Sequence, residues 1–357
     1  MEEALDLLDG GTVAYPRMLE AIAAAQRTVY LEVYTFSDVG VGAEFVDVLS
    51  SASRRGVKVE VIIDGWGSFG TGRAVRAQLE SEGVKVDIFQ PLRTLLLGRF
   101  RRNHRKILIV DDEVTFIGGI NIGDEYRTFP DRIGWADLAL EIRGPAVKRL
   151  SRRVHREELG PEEGAVRIQL SGWGGGWRLR DRYVRSLRGA KVRILLAHGY
   201  FLPDRKLTRA IVRAAERGVE IHLLLSGRSD VPFARAAIMR VYDRLIPSKI
   251  RIYEWTRSVM HAKAAVIDGR ETLIGSFNLD PFSLRNFETL VEVDDPSIAS
   301  DTEGWIMQRI AEAREITLAD CRPPGIYGWL LVRMGFFGAL LARFFGRLMG
   351  TGPRHWP

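Results

Sequence analysis

Short apolar runs alternate along the chain with stretches that repeat apolar residues at helical spacing. Tyr30–Thr35 is an apolar run of strand length, and Val41–Ser53 has the helical pattern. An Arg-Gly-Val sequence at 55–57 then predicts the end of the helix, and Lys58–Ile63 is a second apolar run. Together these elements predict a strand–helix–strand unit, in which the two strands run parallel in one sheet.

The same order of elements returns later, with a strand predicted at Val192–Ala197, a helix at Leu207–Glu216 and a strand at Glu220–Leu225. The segment RRGVKVEVIIDG at 54–65 also aligns with ERGVEIHLLLSG at 216–227. A duplicated α/β unit explains both observations. The stretch at 160–176 is rich in glycine, as connecting loops are, and we predict the boundary between the halves there. The expected units are a first half at 1–160, a second half at 161–322 and a further segment at 323–357.

A third apolar strand in each half carries the motif His-x-Lys-x-x-x-x-Asp. His104 and Lys106 begin the first copy, and His261 and Lys263 begin the second. Since side chains two apart on a strand point to the same face, each histidine is expected beside its lysine. The acids that close the motifs lie at odd spacing from the histidines, so a structural role on the opposite face is predicted for them. These acids are Asp111 and Asp268.

Small residues and an asparagine follow each motif. Glycine and serine let a backbone approach a ligand closely, and an asparagine amide can donate to a phosphate oxygen. With the histidines and lysines they would form a donor-rich pocket suited to a pentacoordinate phosphorus, where charge develops on the equatorial oxygens. The predicted phosphate-loop residues are Gly118, Gly119, Gly275 and Ser276, and the predicted amide donors are Asn121 and Asn278.

Histidine and aspartate also bind metals, so a metal site is the alternative reading of the motifs. A lysine beside each histidine opposes a cation and favours an anion, and we therefore predict no metal and no cofactor. Cys321 is the single cysteine, which excludes an intramolecular disulfide and argues against a cysteine-based zinc site. A net charge of +7 favours nucleic acid, phospholipid headgroups or phosphorylated substrates as partners, and composition does not separate these.

With two such motifs, followed by GGIN at 118–121 and GSFN at 275–278, the chain resembles the phospholipase D superfamily over most of its length. The resemblance implies an α/β fold made of a duplicated unit, with two mixed, mainly parallel sheets flanked by helices. It places a pseudo-two-fold active site at the interface between the halves.

The resemblance also implies a mechanism without a metal. One histidine attacks phosphorus to form a phosphohistidine and must be neutral, while the other acts as a general acid and must be protonated. Neighbouring carboxylates can set that difference. In the family an acid from one half orients the histidine of the other, which pairs Glu288 with His104 and Asp137 with His261.

Long segments around both motifs are similar to those of bacterial cardiolipin synthases. This similarity implies transfer of a phosphatidyl group between phosphatidylglycerol molecules, an anionic phospholipid substrate, with release of glycerol. The implied partner is a membrane surface rather than nucleic acid, and a homodimer is left open. A phospholipase D, a nuclease of the same superfamily and a scaffold without catalysis are the alternatives, and the complete motif set disfavours the last.

Two segments are predicted to contact the membrane. The loop Leu92–Arg102 mixes consecutive leucines with arginines, as suits a bilayer interface, with burial of the leucines in the core as the alternative. The tail at 325–350 is apolar and aromatic but interrupted by arginines, which favours an interfacial amphipathic helix over a spanning one. A tail helix docked on the protein or in a dimer is the alternative. The predicted contacts are Arg99, Arg101, Trp329, Phe336, Phe337 and Arg343.

The N-terminal sequence MEEALDLLDGG is acidic and has no basic region or long apolar stretch, so no signal peptide or N-terminal anchor is predicted. Cardiolipin synthases often carry N-terminal membrane helices, and the mode of attachment is therefore expected to differ here. We expect peripheral or monotopic association with the cytoplasmic face of the cell membrane.

Overall fold

The computed structural model describes residues 3–91, 101–156, 164–172, 175–228 and 234–321. The predicted boundary at residue 160 falls outside these ranges and stays a prediction, as do the proposed roles of Arg99 and of the tail residues Trp329, Phe336, Phe337 and Arg343.

In the part of the chain that the structure describes, the first half consists of a seven-stranded sheet and four helices. Apolar residues dominate the inward faces of its strands, and the helices connect or flank them. The strands are β1 (Ala4–Asp9), β2 (Thr28–Val33), β3 (Lys58–Asp64), β4 (Lys85–Phe89), β5 (Ile107–Val110), β6 (Val114–Gly118) and β7 (Leu138–Arg143), and the helices are α1 (Gly10–Ala24), α2 (Val41–Arg54), α3 (Gly72–Ser81) and α4 (Pro145–Arg156).

The second half repeats this architecture and adds one edge strand. Its strands are β8 (Val166–Leu170), β9 (Arg193–His198), β10 (Glu220–Ser226), β11 (Arg251–Trp255), β12 (Lys263–Ile267), β13 (Glu271–Gly275), β14 (Thr289–Asp294) and β15 (Arg314–Ile316), and its helices are α5 (Gly176–Gly189), α6 (Arg205–Glu216), α7 (Ala234–Leu245) and α8 (Pro296–Ala311).

The order of strands in the two sheets confirms the duplication. The first sheet runs β1-β7-β6-β5-β2-β3-β4, and the second runs β8-β14-β13-β12-β9-β10-β11, with β15 paired to β11 at the edge. The register repeats as well, since Thr28 lies opposite Lys58 and Arg193 lies opposite Glu220. The helices and strands predicted around both Arg-Gly-Val turns are present within one or two residues of their expected bounds, and the first strand is shifted by two.

The sheets are mixed, as predicted, but the expectation that they are mainly parallel is wrong. Only β2–β3–β4 and β9–β10–β11 pair in parallel, and every other pair among the described strands is antiparallel. A helical crossover such as α2 returns the chain to the same edge and gives a parallel neighbour. The turn of three residues between β5 and β6 reverses the chain, and each motif strand therefore begins an antiparallel meander.

The two halves share a core. One buried apolar cluster contains Ile109 and Leu140 from the first sheet together with Val266 and Val291 from the second. Two further clusters lie between each sheet and its own helices. Burial of each such large side chain contributes about 1.5–3 kcal/mol relative to exposure, so the shared cluster fixes one half against the other. This packing brings the starts of β5 and β12 to a common edge.

The two acids that close the motifs tie strands together at the opposite ends of β5 and β12. Asp111 accepts hydrogen bonds from three consecutive backbone N–H groups of residues 26–28, at 2.7–2.8 Å. Asp268 does the same for residues 191–193, at 2.8–3.0 Å. Both adopt a left-handed backbone with φ of 53°, a conformation that aspartate tolerates better than most residues. The contacts are structural, and neither carboxylate approaches the histidines.

Replacing Asp268 with alanine is therefore expected to destabilise the protein without touching the site. Three charge-assisted hydrogen bonds to partly exposed backbone are lost, which should cost about 1–3 kcal/mol. The midpoint of urea unfolding measures the effect. Asp268→Asn keeps one acceptor oxygen, and its unfolding midpoint should lie between those of the wild type and Asp268→Ala. An unchanged midpoint for Asp268→Ala would contradict the structural role.

Candidate active site

Each motif histidine is anchored by backbone to the opposite half of the molecule. The His104 N–H donates to Phe287 O at 2.8 Å, and the His261 N–H donates to Ala136 O at 2.8 Å. Both histidines precede their strands rather than lying on them, since β5 begins at Ile107 and β12 at Lys263. Phe287 and Ala136 are each followed by an acid, Glu288 and Asp137. These backbone bonds therefore place each carboxylate beside the histidine of the opposite half.

The carboxylates meet the histidines in the crossed arrangement. His104 Nδ1 lies 3.0 Å from Glu288 Oε2, and His261 Nδ1 lies 2.6 Å from Asp137 Oδ2. The side chains of both acids are 0% exposed. A carboxylate at Nδ1 favours the tautomer with hydrogen on that nitrogen, which leaves the Nε2 lone pair available. The pair of sites therefore presents two oriented imidazoles.

The two lysines lie beside their histidines and are almost fully buried, with 4% and 1% of their surfaces exposed. Lys106 Nζ donates to His104 O at 2.6 Å, and Lys263 Nζ donates to His261 O. Burial lowers the pKa of Lys106 to about 7 and that of Lys263 to about 8. Each ammonium thus folds back onto a carbonyl, and burial makes its charged form less favourable than in water.

Lys263 Nζ also lies 3.0 Å from His261 Nδ1, the nitrogen that faces Asp137. Asp137 and Lys263 cannot both hydrogen-bond to this nitrogen. A protonated Nδ1 donates to the carboxylate and has no lone pair left to accept from the ammonium. The shorter carboxylate contact decides the tautomer. The Lys263 protons are then directed to the carbonyl and to the open site.

Burial is the largest influence on the pKa of both histidines. It lowers the pKa of His104, an effect that Glu288 opposes, and burial with the Lys263 charge lowers the pKa of His261 to about 3. Against the raising effect of its own burial, Lys263 and His261 lower the pKa of Asp137, so that acid is ionised. For both histidines desolvation is a larger effect on the pKa than the neighbouring carboxylate, which acts in the opposite direction.

The two asparagines differ from each other. Asn121 Nδ2 donates to the Tyr126 hydroxyl at 2.8 Å, and its Oδ1 accepts from the Thr35 N–H at 3.1 Å. Asn121 therefore holds scaffold and has at most one amide hydrogen left for a ligand. Asn278 is also buried, but its side-chain oxygen has no hydrogen-bond partner among the described residues. A buried polar atom in that state marks Asn278 as the amide open to a ligand.

The predicted phosphate loops serve another purpose. The Gly119 N–H donates to Leu138 O and the Ser276 N–H donates to Thr289 O, both at 3.0 Å, and neither is free for a ligand. A Cβ on Gly118 would lie 2.3 Å from Leu138 O, and one on Gly275 would lie 2.2 Å from Thr289 O. These glycines are small because the backbone of the neighbouring strand, β7 or β14, packs directly against them. The phosphate-loop prediction is corrected accordingly.

Gly119 and Ser276 occupy matching positions and hold the two carboxylates differently. A Cβ on Gly119 would lie 2.2 Å from Asp137 Oδ1, so glycine makes the space that this acid fills. The Ser276 hydroxyl donates to Glu288 Oε2 at 2.5 Å, so serine fixes the acid by a hydrogen bond. The positions after the motifs thus orient the acids that orient the histidines.

Gly119→Ala is expected to lower activity about 10- to 100-fold, because the new methyl displaces the Asp137 carboxylate and misplaces His261. A Cβ on Gly304, in α8, would meet nothing within 4 Å. Gly304→Ala is therefore the matched control and should leave activity unchanged while stabilising the helix slightly. Equal activity in the two variants would refute this account of Gly119.

Aromatic residues that sequence reasoning missed surround the histidines. The Tyr126 hydroxyl lies 3.4 Å from His261 Nδ1, and the Trp135 ring lies 5.5 Å from the same imidazole. Tyr34 packs 4.9 Å from the ring of His104 and 5.1 Å from Lys106 Nζ. The prediction used positions that recur in both halves, and these residues belong to the loops in which the halves differ. The sequence signal that could have found Tyr126 and Trp135 is their position shortly after the first motif.

A buried polar network was also missed, and it flanks only the first histidine. Asn103 Nδ2 donates to Glu32 Oε1 at 2.5 Å, and Arg105 donates to the same oxygen at 3.4 Å. Arg105 also donates to Ser171 O at 2.6 Å, and the Ser171 hydroxyl accepts from the Glu288 N–H at 2.7 Å. The residues beside His104 are thereby joined to the segment that carries Glu288. Met260 and Ala262 flank His261 and are buried apolar residues.

Among the described residues, no cluster of three or more histidine, cysteine, aspartate or glutamate side chains could hold a metal ion. In the same ranges, no helix is both long and apolar enough to cross a bilayer. Arg101 is half-buried near the mouth of the site, where its charge contributes to lowering the pKa of Arg285 after the larger effect of burial.

Comparison with known proteins identifies the family. The model described as "Cardiolipin synthase, PLD-like domain" matches residues 18–128 and 183–310, one segment in each half. Cardiolipin synthase B of Salmonella typhimurium is 31% identical over an alignment of 383 positions, gaps included, which covers 99% of this chain and 91% of that protein. Cardiolipin synthase 1 of Staphylococcus aureus is 30% identical over an alignment of 335 positions, which covers 87% of this chain and 68% of that protein.

A solved structure shares the fold. Phosphatidylserine synthase of Haemophilus influenzae superposes with a TM-score of 0.73 over 95% of this chain and 93% of that one, at 14% identity. The duplicated sheets, the crossed histidine–carboxylate pairs and the sequence relatives agree. The chain belongs to the cardiolipin synthase family of phospholipase D-like phosphatidyltransferases.

Proposed function

We propose that the protein makes cardiolipin by transferring a phosphatidyl group from one phosphatidylglycerol to another through a phosphohistidine at His104. The relatives named cardiolipin synthases support the substrate class. The observation that carries the mechanism is the crossed pairing of His104 with Glu288 and of His261 with Asp137. It supplies two imidazoles with defined tautomers, one for attack and one for proton transfer.

In the first step His104 Nε2 attacks phosphorus, and the bond from phosphorus to the glycerol oxygen breaks. His261 gives that oxygen its proton, and glycerol leaves. In the second step a hydroxyl of another phosphatidylglycerol loses its proton to His261 and attacks the phosphorus held on His104. Cardiolipin forms and both histidines return to their starting states, so the exchange needs no nucleotide.

His261 must become protonated before it can act as an acid. Burial and the charge of Lys263 both favour the neutral ring and lower its pKa to about 3. A bound phosphodiester brings a negative charge that opposes both effects and raises the pKa, while the ionised Asp137 stabilises the imidazolium. Substrate binding thus prepares the acid.

The lysines and Asn278 are proposed to hold the phosphoryl oxygens. Among the described residues, Lys106 and Lys263 have carbonyl oxygens and an imidazole nitrogen as their hydrogen-bond partners, and both can turn toward an anion. The amide of Asn278, which has an unpartnered oxygen, can rotate to donate. These donors would stabilise the charge that develops on equatorial oxygens. Asn121 is assigned to scaffold support.

Incubation with vesicles of phosphatidylglycerol, followed by chromatography of lipids and assay of free glycerol, tests the function. The proposal predicts cardiolipin and glycerol in equal amounts. Phosphatidic acid as the main product would make the protein a phospholipase D, and cleavage of nucleic acid without lipid turnover would make it a nuclease. The variant His104→Ala serves as the blank.

Removal of divalent ions is expected to leave turnover unchanged, because lysine ammonium groups supply the positive charge in this site. Activity is measured with and without EDTA on the same vesicles. Loss of turnover that is restored by one divalent ion would contradict the metal-free mechanism. A vesicle-binding assay alongside separates loss of catalysis from loss of binding.

We further propose that the protein works at the membrane surface on the cytoplasmic side, where its lipid substrates are. The loop from Leu92 and the tail beyond residue 322 remain the predicted anchors from sequence. Measurement of the molecular mass in solution distinguishes a monomer from the homodimer.

A further inference from the structure

Several large apolar side chains are exposed on loops that lie at the active-site edge of the sheets. They come from three segments, at 65–71 after β3, at 127–134 before β7 and at 281–285 before β14, which we call the rim loops. Large exposed apolar side chains that cluster are unusual on a soluble surface and mark an interaction site. The exposed fractions are Trp66 48%, Phe69 72%, Phe129 37%, Ile133 41% and Phe282 70%.

Contacts tie the first rim loop to His104. Arg102 precedes His104 by two residues, and its guanidinium lies 4.7 Å from the centre of the Trp66 ring. The backbone at Gly67 packs so closely on Tyr34 that a Cβ would lie 2.7 Å from its ring. Tyr34 in turn touches His104. Trp66 and Phe69 therefore stand beside the entrance to the first histidine.

The other two rim loops reach the same entrance. The Arg285 N–H donates to Phe282 O at 3.0 Å, and the next residue, Asn286, accepts from the Arg102 N–H at 3.3 Å. The turn at Phe129, closed by hydrogen bonds with Arg132, leads to Trp135, whose ring contacts His261. Tips from both halves thus surround one opening.

Arginines accompany the apolar tips. Arg102 stacks on Trp66, Arg132 lies 5.1 Å from the Phe129 ring, and Arg285 follows Phe282 by three residues. Within the rim loops, Asp131 is the only acidic residue of the sequence. Aromatic side chains with arginines at their sides suit the boundary of an anionic bilayer, where rings enter the acyl region and guanidinium groups meet phosphates.

We propose that the rim loops dock the active site directly onto an anionic phospholipid bilayer, with Trp66, Phe69 and Phe282 as its inserted tips. The proposal rests on the proposed function, because a substrate whose phosphodiester lies in the headgroup layer can reach His104 only if this opening faces the bilayer. In this proposal the rim loops fix the orientation of the active site on the bilayer.

The test compares the full-length double variant Phe69→Ser/Phe282→Ser with Val192→Ser. Val192 is 68% exposed and precedes β9, roughly 20 Å along that strand from His198 at the active-site edge. Sedimentation with phosphatidylglycerol vesicles measures binding. Turnover is measured on the same vesicles and on a short-chain phosphatidylglycerol below its micellar concentration.

The double variant is expected to bind vesicles about 10- to 100-fold more weakly, with vesicle turnover reduced to match. Turnover of the monomeric lipid and the thermal melt should be unchanged, and Phe69→Trp should keep full binding. Equal vesicle binding and turnover in the double variant and Val192→Ser would overturn the proposal. Equal loss on monomeric lipid would overturn it as well, because the defect would then lie in catalysis. If the wild type forms no cardiolipin, the proposed function fails, but the difference in vesicle binding between the double variant and Val192→Ser still tests the rim loops.

Discussion

His104→Ala is expected to lose phosphatidyl transfer by a factor of about 10⁴ or more, because the proposal assigns the attack on phosphorus to His104 and only proton transfer to His261. The protein should remain folded. Glu288 would lose its imidazole partner but keeps the hydrogen bond from the Ser276 hydroxyl at 2.5 Å. Turnover of phosphatidylglycerol and the thermal melt are the two measurements.

His155→Ala is the matched control, since this exposed histidine lies on α4 and contacts only the Tyr30 ring among the described contacts. It should keep full activity. His261→Ala should also lose turnover on phosphatidylglycerol, yet a donor with a good leaving group needs no acid and should still load His104. If His104→Ala retained even a few per cent of wild-type turnover, its role as nucleophile would be disproved.

Asp137→Asn is expected to lower turnover about 10²- to 10⁴-fold, the range seen when an orienting carboxylate is made neutral. The side chain is 0% exposed, and its contact of 2.6 Å with His261 Nδ1 fixes the tautomer. Loss of the negative charge also lowers the pKa of His261. The limb of the pH profile that requires the protonated acid should therefore move to lower pH.

Comparison with Glu288→Gln makes the test specific. With a nitrophenyl leaving group, which departs without a proton, formation of the covalent intermediate should recover in Asp137→Asn. It should not recover in Glu288→Gln, because that change acts on the attacking histidine at 3.0 Å from Oε2. Rates of the first step under single-turnover conditions give the comparison. The reverse pattern would exchange the roles of the two histidines.

Features that occur twice could be predicted from sequence. The strands, helices and motif residues recur at nearly constant spacing, so each half served as a comparison for the other. The structural role of Asp111 and Asp268 was predicted from alternation along a strand, but the structure separates them from the histidines because they lie beyond the opposite ends of β5 and β12. The pairing of Glu288 and Asp137 with opposite histidines needed the family resemblance, since residues more than a hundred positions apart in sequence carry no local signal.

Features that depend on three-dimensional neighbours could not be predicted. Gly119 is small because the Asp137 carboxylate fills the space of a side chain, a contact that a local pattern does not contain. Asn121 donates to Tyr126, a residue without a counterpart in the predicted motif. The direction of most strand pairs depended on turn length, and the lowered pKa of His261 depended on how deeply the halves bury the ring.

The difference between the halves is informative for mechanism. Around His104 the network of Glu32, Asn103 and Arg105 fixes the backbone and joins it to the Glu288 segment. Around His261 the matching flanks are apolar, and the ring is contacted by Tyr126 and Trp135 instead. A rigidly held imidazole suits attack on phosphorus. The pseudo-two-fold site is thus chemically asymmetric.

The most direct measurement of the central claim is identification of the covalent intermediate. Wild-type protein mixed with phosphatidylglycerol is quenched within one turnover in base, where phosphohistidine survives, and its peptides are analysed by mass spectrometry. The account predicts a phosphatidyl adduct on the peptide that contains His104, absent from His104→Ala and accumulating in His261→Ala with a nitrophenyl donor. An adduct on His261, or cardiolipin formed with no adduct on either histidine, would contradict it.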